Sequence, residues 1–321
     1  MRHFKHGIRC IAVAALTLVA SSALAQQELK IMAPAGPGGG WDAAARSIQQ
    51  ILTQTGLAKS VQVTNVTGAC GTIGLAQFVN NAKGDPSQLM VNGITMVGAI
   101  LTNKAPVSLD QVTPIARLTG DPLVIVVPAN SPHKTVQDLA AAVKADPAKV
   151  SWAGGSAGGA DHILAALVTK AAGSDPAKVN YVAFSGGGEA LAAMLGGKVT
   201  AGISGYGEFE SQIKAGKLRA LAISSGKRLA GADVPTLKEQ GLEVEVVNWR
   251  ALMGAPGLSA EQRKSLTDKV EKMVKSKEWA ELIKARGWED YYLAGEPFTA
   301  FLKVEQGRVG DVLRSVGLVK S

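Results

Sequence analysis

The chain has 321 residues, of which 46% are hydrophobic, 5% aromatic and 19% charged, and it carries a net charge of +8. So long and apolar a chain exceeds one hydrophobic core and calls for two domains, and the scarcity of aromatics excludes stacking on bases or sugars as the dominant chemistry. Lys and Arg are interspersed with Glu261, Asp268 and Glu271 along stretches such as 263–277, which reads as a solvated face; with no basic stripe and no nucleic-acid module, nucleic acid is excluded as a partner.

Residues 1–25 read as a signal peptide. Arg2, Lys5 and Arg9 precede an apolar run over 11–20, and Ala23-Leu24-Ala25 supplies the small-residue cleavage site. The run is shorter than the roughly 20 residues that span a bilayer, and Cys10 precedes it, which is the wrong place for a lipid-anchored cysteine. The expected product is an exported, periplasmic chain. Losing the three basic residues of the leader takes the charge from +8 to +5 and leaves Cys70 as the remaining cysteine, so no internal disulfide can form.

Short β-type runs follow at 29–33, 61–65, 89–92, 123–128, 150–153, 179–182, 199–203 and 218–223. Amphipathic helical stretches at 43–55, 73–82, 136–145, 162–172, 190–195 and 209–215 separate them, which predicts an α/β architecture with mostly parallel sheets. Beyond 244–255 the pattern becomes helical to the C-terminus without further strands; Ser259 with Gln262 forms a capping-box pattern there.

Four glycine-rich loops, 35–42, 68–74, 154–161 and 185–189, each follow a predicted strand and open a predicted helix. A helix N-terminus offers unpaired N–H groups and partial positive charge, so such loops suit anions; each also has a plain reading as a tight turn. None matches a nucleotide motif: G-x-x-x-x-G-K-[ST] is absent, and Gly68 to Gly74 has G-x-x-G-x-x-G spacing. No cofactor is expected. Gly154-Gly155-Ser156-Ala157-Gly158 matches the G-x-S-x-G of a hydrolase nucleophile elbow. The mature chain has only His133 and His162, however, and His162 lies six residues after Ser156 with no histidine beyond it. Lacking a base, Ser156 reads as a hydrogen-bond donor and no catalytic residue is assigned. Two separated histidines and one cysteine offer no metal cluster.

The run Ala33-Pro34-Ala35-Gly36-Pro37-Gly38-Gly39-Gly40-Trp41-Asp42 with Arg46 resembles the opening of the tripartite tricarboxylate transporter receptors, the Bug-type solute-binding proteins. Asn65-Val66-Thr67-Gly68, Gly155-Ser156 with His162, Phe184-Ser185-Gly186-Gly187-Gly188 with Glu189, Leu195-Gly196-Gly197, Asp233-Val234-Pro235-Thr236 and Gly241-Leu242 resemble that family's later landmarks in order, across essentially the whole mature chain. The resemblance implies a type II periplasmic-binding-protein fold: two α/β lobes joined by a two-strand hinge, with the ligand cleft between them. Lobe 1 would comprise 26–126 and 227–321, and lobe 2 the inserted 127–226. It further implies a monomer that captures a small carboxylate on backbone amides and passes it to the membrane permease subunits of a transporter, with a sensing role as an alternative.

The candidate ligand-binding residues on this basis are Gly38, Gly39, Gly40, Trp41 and Asp42; Thr67, Ala69, Cys70, Gly71 and Thr72; Ser156, Ala157, Gly158 and His162; Ser185, Gly186 and Gly187; and Tyr206, Trp249 and Arg250. Asn248-Trp249-Arg250 resembles the citrate-binding branch, and the guanidinium fork of Arg250 would take an extra carboxylate; the alternative cargoes are a C4-dicarboxylate or an aromatic acid. Trp41 and Trp249 would either wall the pocket or belong to the core, and Arg46 would pair with Asp42 one helical turn away.

Overall fold

The computed structural model describes residues 28–184 and 187–319, so the expected signal peptide lies outside the described residues. In chain order the elements are β1 (Glu28–Ala33), α1 (Gly40–Gln54), β2 (Ser60–Asn65), α2 (Thr72–Asn81), β3 (Gln88–Gly93), α3 (Ile94–Thr102), β4 (Thr113–Pro128), α4 (Val136–Ala145), β5 (Ser151–Gly154), α5 (Ala160–Ala171), β6 (Asn180–Ala183), α6 (Gly187–Leu195), β7 (Ala201–Gly205), α7 (Tyr206–Lys214), β8 (Leu218–Ile223), β9 (Val247–Gly254), α8 (Ala260–Val274), α9 (Lys277–Ala285), β10 (Glu289–Ala294) and α10 (Gly295–Ser315).

Strand β4 belongs to two sheets. Up to Pro122 it pairs antiparallel with β9, and from Leu123 onward with β7 and β8. The first sheet runs β2-β1-β3-β9-β4 with β10 also on β4; the second runs β8-β4-β7-β5-β6. Each anchors one α/β lobe. Parallel pairing joins β1 to β2 and β3, and β5 to β6 and β7. All pairs made by β4, and β3 with β9, are antiparallel. The expectation of mostly parallel sheets therefore holds only away from the hinge. One strand leaves the first lobe and another returns, so these two run in opposite senses wherever they meet.

The helical tail also departs from expectation, because β10 interrupts it between Gly287 and Gly295, both in the left-handed region. Its pairing partner is β4, and the Arg117 guanidinium lies 3.8 Å from the Tyr291 ring centroid. A six-residue strand stabilised by so distant a partner leaves little local pattern. Helix α8, by contrast, begins with the predicted reciprocal cap: Gln262 N–H donates to Ser259 Oγ and Ser259 N–H to Gln262 Oε1.

Strand alternation divides the core. Val124 and Val126 face a cluster confined to the second lobe, whereas Leu123, Ile125 and Val127 face one that continues into the first lobe through Ile94, Val97 and Leu313. A third cluster, with Ile31, Ile48, Leu89 and Leu252, belongs to the first lobe alone. At the crossing, buried Ser224 is the staple: its Oγ accepts from Leu123 N–H at 3.0 Å, and its carbonyl accepts from Val246 N–H at 3.0 Å.

Candidate functional site

The loops preceding α1 and α5 have the same construction. Gly39 N–H donates to Gly36 O at 3.2 Å, and Gly159 N–H to Ser156 O at 3.0 Å. The third residue of each turn is a left-handed glycine, Gly38 at φ +82° and Gly158 at φ +78°, a conformation that costs most other residues about 1–2 kcal/mol. A side chain from the first helical turn then holds that glycine's amide. Gly38 N–H donates to Asp42 Oδ2 at 2.8 Å, and Gly158 N–H to His162 Nδ1 at 3.2 Å. Each helix start, with its unpaired first-turn amides, is thus set rigidly, one on either lobe.

Between them lies a cavity of about 570 Å³. Its first-lobe wall includes Pro34 to Pro37, Gly39, Gly40, Trp41, Thr67, Gly68, Cys70, Gly71, Thr95, Asn248 and Arg250; Ser156 and Glu208 come from the second lobe. An adjoining cavity of about 930 Å³ shares Gly39, Gly40, Glu208 and Arg250 and adds Gly38, Asp121, Tyr206, Lys284, Arg286 and Trp288. Of the expected residues, Gly39, Gly40, Trp41, Thr67, Cys70, Gly71, Ser156 and Arg250 therefore converge on the cleft, with Gly38 and Tyr206 next to it. Cys70 and the preceding Ala69 are non-glycine residues in left-handed backbone, at φ +51° and +46°.

Several expected ligand contacts are instead parts of the scaffold. Trp249 is 1% exposed, packs edge-on to Phe301, and donates its indole N–H to Glu305 Oε1 at 3.0 Å. Strand alternation is the reason: Trp249 faces the shared core with Ala251 and Met253, while Arg250 takes the opposite face under the start of α1. Asp42 is buried and committed to Gly38 N–H, Arg46 Nε at 2.9 Å and Asn65 Nδ2 at 2.9 Å, so the expected Arg46 pair is present. Thr72 Oγ1 donates to Ala69 O at 2.9 Å, and the same carbonyl accepts from Asn103 Nδ2, which turns both Thr72 and Ala69 to structural use. His162 is buried, stacked on Tyr181 with centroids 4.1 Å apart, and burial holds its pKa down at about 4; with its lone pair on Gly158 N–H, it does not serve Ser156 as a base. Gly158 backs onto Thr102, and Ala157 is exposed outside the cleft wall. Ser185 and Gly186 lie outside the described residues, and Gly187 starts α6.

Thr95, Asn248, Glu208 and Asp121 were not among the expected residues. Asn248 was legible, since it shares a strand face with Arg250. Thr95 follows β3 without a glycine cluster, and Asp121 enters only because β4 pairs it with Asn248.

Two carboxylates give the site its pH signature. Burial would raise Asp42, but hydrogen bonds from Arg46, Gly38 N–H and Asn65 outweigh it and bring the pKa to about 2. Its stabilisation is present above the usual carboxylate range and is lost as pH falls toward about 2. Asp42→Ala should cost about 2 kcal/mol at neutral pH and remove that acid step, checked by melting temperature against pH. Asp161 behaves oppositely. Its Oδ2 accepts from Gly155 N–H at 2.7 Å, yet burial, with Glu208 and Asp121 nearby, pushes it up to about 7. Because its folded pKa is raised, stability should fall as pH rises from about 4 through about 7, and Asp161→Asn should flatten that decline. A variant melting profile parallel to the wild type would refute this assignment.

Among known proteins, the model of the tripartite tricarboxylate transporter family receptor matches residues 44–318. The protein BugT of Bordetella pertussis is 28% identical over 294 residues, 90% of this chain and 89% of its own. A solute-binding protein of the same family from Polaromonas, solved without ligand, is 26% identical with a TM-score of 0.73, covering 89% of this chain and 98% of its own. A Rhodopseudomonas palustris protein solved with adipate shares the fold at 20% identity and a TM-score of 0.79, covering 91% and 98%. With residues 44–318 matched by that model and a loop-lined cleft between its two lobes, the chain belongs to the tripartite tricarboxylate transporter receptor family.

Proposed function

We propose that this protein is an exported, periplasmic receptor that captures a small carboxylate between its lobes and delivers it to the permease subunits of a tripartite transporter. The observation that carries the reading is the matched pair of loops: the α1 loop brings Gly39 and Gly40, and the α5 loop brings Ser156, to one cleft between the lobes, where the donors of both loops would hold an anion when the lobes meet. Charge-assisted hydrogen bonds to such amides contribute roughly 1.5–3 kcal/mol each, so a few reach micromolar affinity. The lobe division at 126/127 and 226/227 belongs to this reading, although β4 changes partners four residues before the first boundary, after Pro122, and Leu229, Ala232 and Val234 beyond the second pack with Val124 and Val126, so the first crossing lies earlier and the second later than expected. A tricarboxylate such as citrate would need Arg250 for its third group. Arg250 Nη2 already donates to Asp121 Oδ2 at 3.0 Å, while its Nη1 is buried without a partner among the described residues, which leaves a donor for a further carboxylate.

The test is isothermal titration of the mature protein, stripped of ligand by unfolding and refolding, against citrate, malate, succinate, adipate, benzoate and amino dicarboxylates. Micromolar binding of one of these acids is expected. Refolded protein that binds none of them would overturn the receptor reading for carboxylates.

A further inference from the structure

Behind the α5 loop lies a carboxyl that does not itself border the cleft. Gly155, immediately before Ser156, is held at both of its polar backbone atoms: its N–H donates to Asp161 Oδ2 at 2.7 Å, and its carbonyl accepts from Tyr181 Oη at 2.8 Å. The packing there is tight. A Cβ on Gly154 would collide with Tyr181 Oη and lie 2.7 Å from Asp161 Cβ, and one on Gly155 would lie 3.1 Å from Asp161 Oδ2. The Tyr181 ring in turn stacks on His162, whose Nδ1 fixes Gly158 N–H. Ser156, which borders the cleft, is thus carried on a framework with Asp161 at its base.

The titratable groups that face Asp161 bring it no positive charge. Tyr181 on β6 keeps its proton, because burial and Asp161 itself hold the phenol above its usual range. His162, the next residue on α5, is neutral near pH 7. Glu208 on α7 and Asp121 on β4 both act on Asp161 as like charges, and the Asp121 charge is met by Arg250 on β9. Lys214, Lys284 and Arg286 line the adjoining cavity with Glu208, and among the described residues none of them pairs with Asp161. An anion held by the α5 loop therefore adds a further like charge beside a carboxyl that has no cation of its own.

We propose that Asp161 is a positioning residue that couples ligand binding to the uptake of a proton: when an anion occupies the cleft, the Asp161 carboxylate takes a proton from solvent and, as the neutral acid, keeps its bond to Gly155 N–H. Oδ2 can accept from that amide in either state. The coupling is reciprocal, so the proton favours the ligand as much as the ligand favours the proton. Asp161 is poised for the exchange near neutrality, since burial and its two like-charged neighbours push it up to about 7. Affinity should be highest in acid, where the carboxyl is protonated in free and bound protein alike, and should fall as pH rises through about 7. One further charge nearby in a partly desolvated site shifts such an equilibrium by about tenfold.

The proposal rests on the receptor reading, and one set of titrations separates the two. The refolded mature protein is titrated calorimetrically with citrate, malate, succinate, adipate, benzoate and amino dicarboxylates. An acid that binds is then followed from acid to alkaline pH, and at neutral pH in phosphate and in Tris, buffers of low and high ionisation enthalpy. Wild type should take up a fraction of a proton per ligand, seen as a more positive binding enthalpy in Tris, and its affinity should fall about tenfold across the pH range. Asp161→Asn, which keeps an acceptor for Gly155 N–H, should lose both effects; protonation of the ligand itself is common to both proteins and cancels in the comparison. Asp161→Ser carries the same comparison should melting curves show the asparagine variant unfolded. Equal buffer dependence and parallel pH profiles in wild type and variant overturn the role of Asp161 and leave the receptor standing. Binding of none of the acids overturns both.

Discussion

Arg250→Ala is expected to destabilise the protein by about 3–5 kcal/mol, the cost of leaving a buried carboxylate without its counter-charge. Asp121 and Arg250 are 7% and 5% exposed, 3.0 Å apart, and enclosed by Gly40 on one side and Trp288 on the other, 5.1 Å from the guanidinium. Burial already raises the Asp121 pKa, and Arg250 opposes that rise. Without Arg250 the carboxyl should hold its proton to higher pH. The variant's stability should therefore be best preserved in acid and lost as pH rises through the folded pKa. At neutral pH the melting temperature should fall by roughly 10 °C, whereas the paired replacement Asp121→Leu with Arg250→Met should recover much of it, because no charge is then stranded. A single variant melting within about 2 °C of wild type would show that the pair carries no structural weight.

The second large effect is expected at Gly98. In the structure α3 meets the α5 loop backbone to backbone: a Cβ on Gly98 would collide with Gly158 O, and one on Gly158 would lie 2.9 Å from the Thr102 methyl. Gly98→Ala must push the lobes apart at that point, at a cost of about 1–3 kcal/mol to this arrangement of the lobes. If the ligand binds this arrangement of the lobes, as the receptor reading requires, binding should weaken by roughly 10- to 100-fold, with a larger radius of gyration in solution scattering. Gly307→Ala is the control. Gly307 lies within α10 with open space at its Cβ, so the alanine should be neutral or stabilising by about 0.5–1 kcal/mol. Unchanged affinity in Gly98→Ala would mean that this contact is not part of the bound state.

Much of the site was legible because it is local. The strand, glycine turn and helix start around Gly36 to Asp42 lie in one continuous segment, and so do those around Gly155 to His162; Asp42 and His162 even hold equivalent amides. Residue type alone carries no direction. Trp249 looked like a pocket wall by type, yet the period-2 geometry of β9 sends it to the core and brings Asn248 to the cleft with Arg250. His162 and Asp42 looked like ligand contacts by proximity, but buried loop amides need acceptors, and these two side chains supply them.

The order of strands and helices as far as β8, apart from α3, the glycine-rich strand-to-helix loops before α1, α2 and α5, and the Ser259 cap follow from the sequence by itself. Each depends on hydrogen bonds and periodicity within a few residues, which the local pattern encodes directly. Only the tertiary structure decided the antiparallel hinge, strand β10 and the charge of the cleft. Arg250 and Asp121 are separated by 129 positions, and Glu208 arrives from the other lobe. Whether a guanidinium is spent on a neighbour or offered to a ligand depends on which strands meet at the crossing, a long-range packing outcome with no trace in the residues beside it.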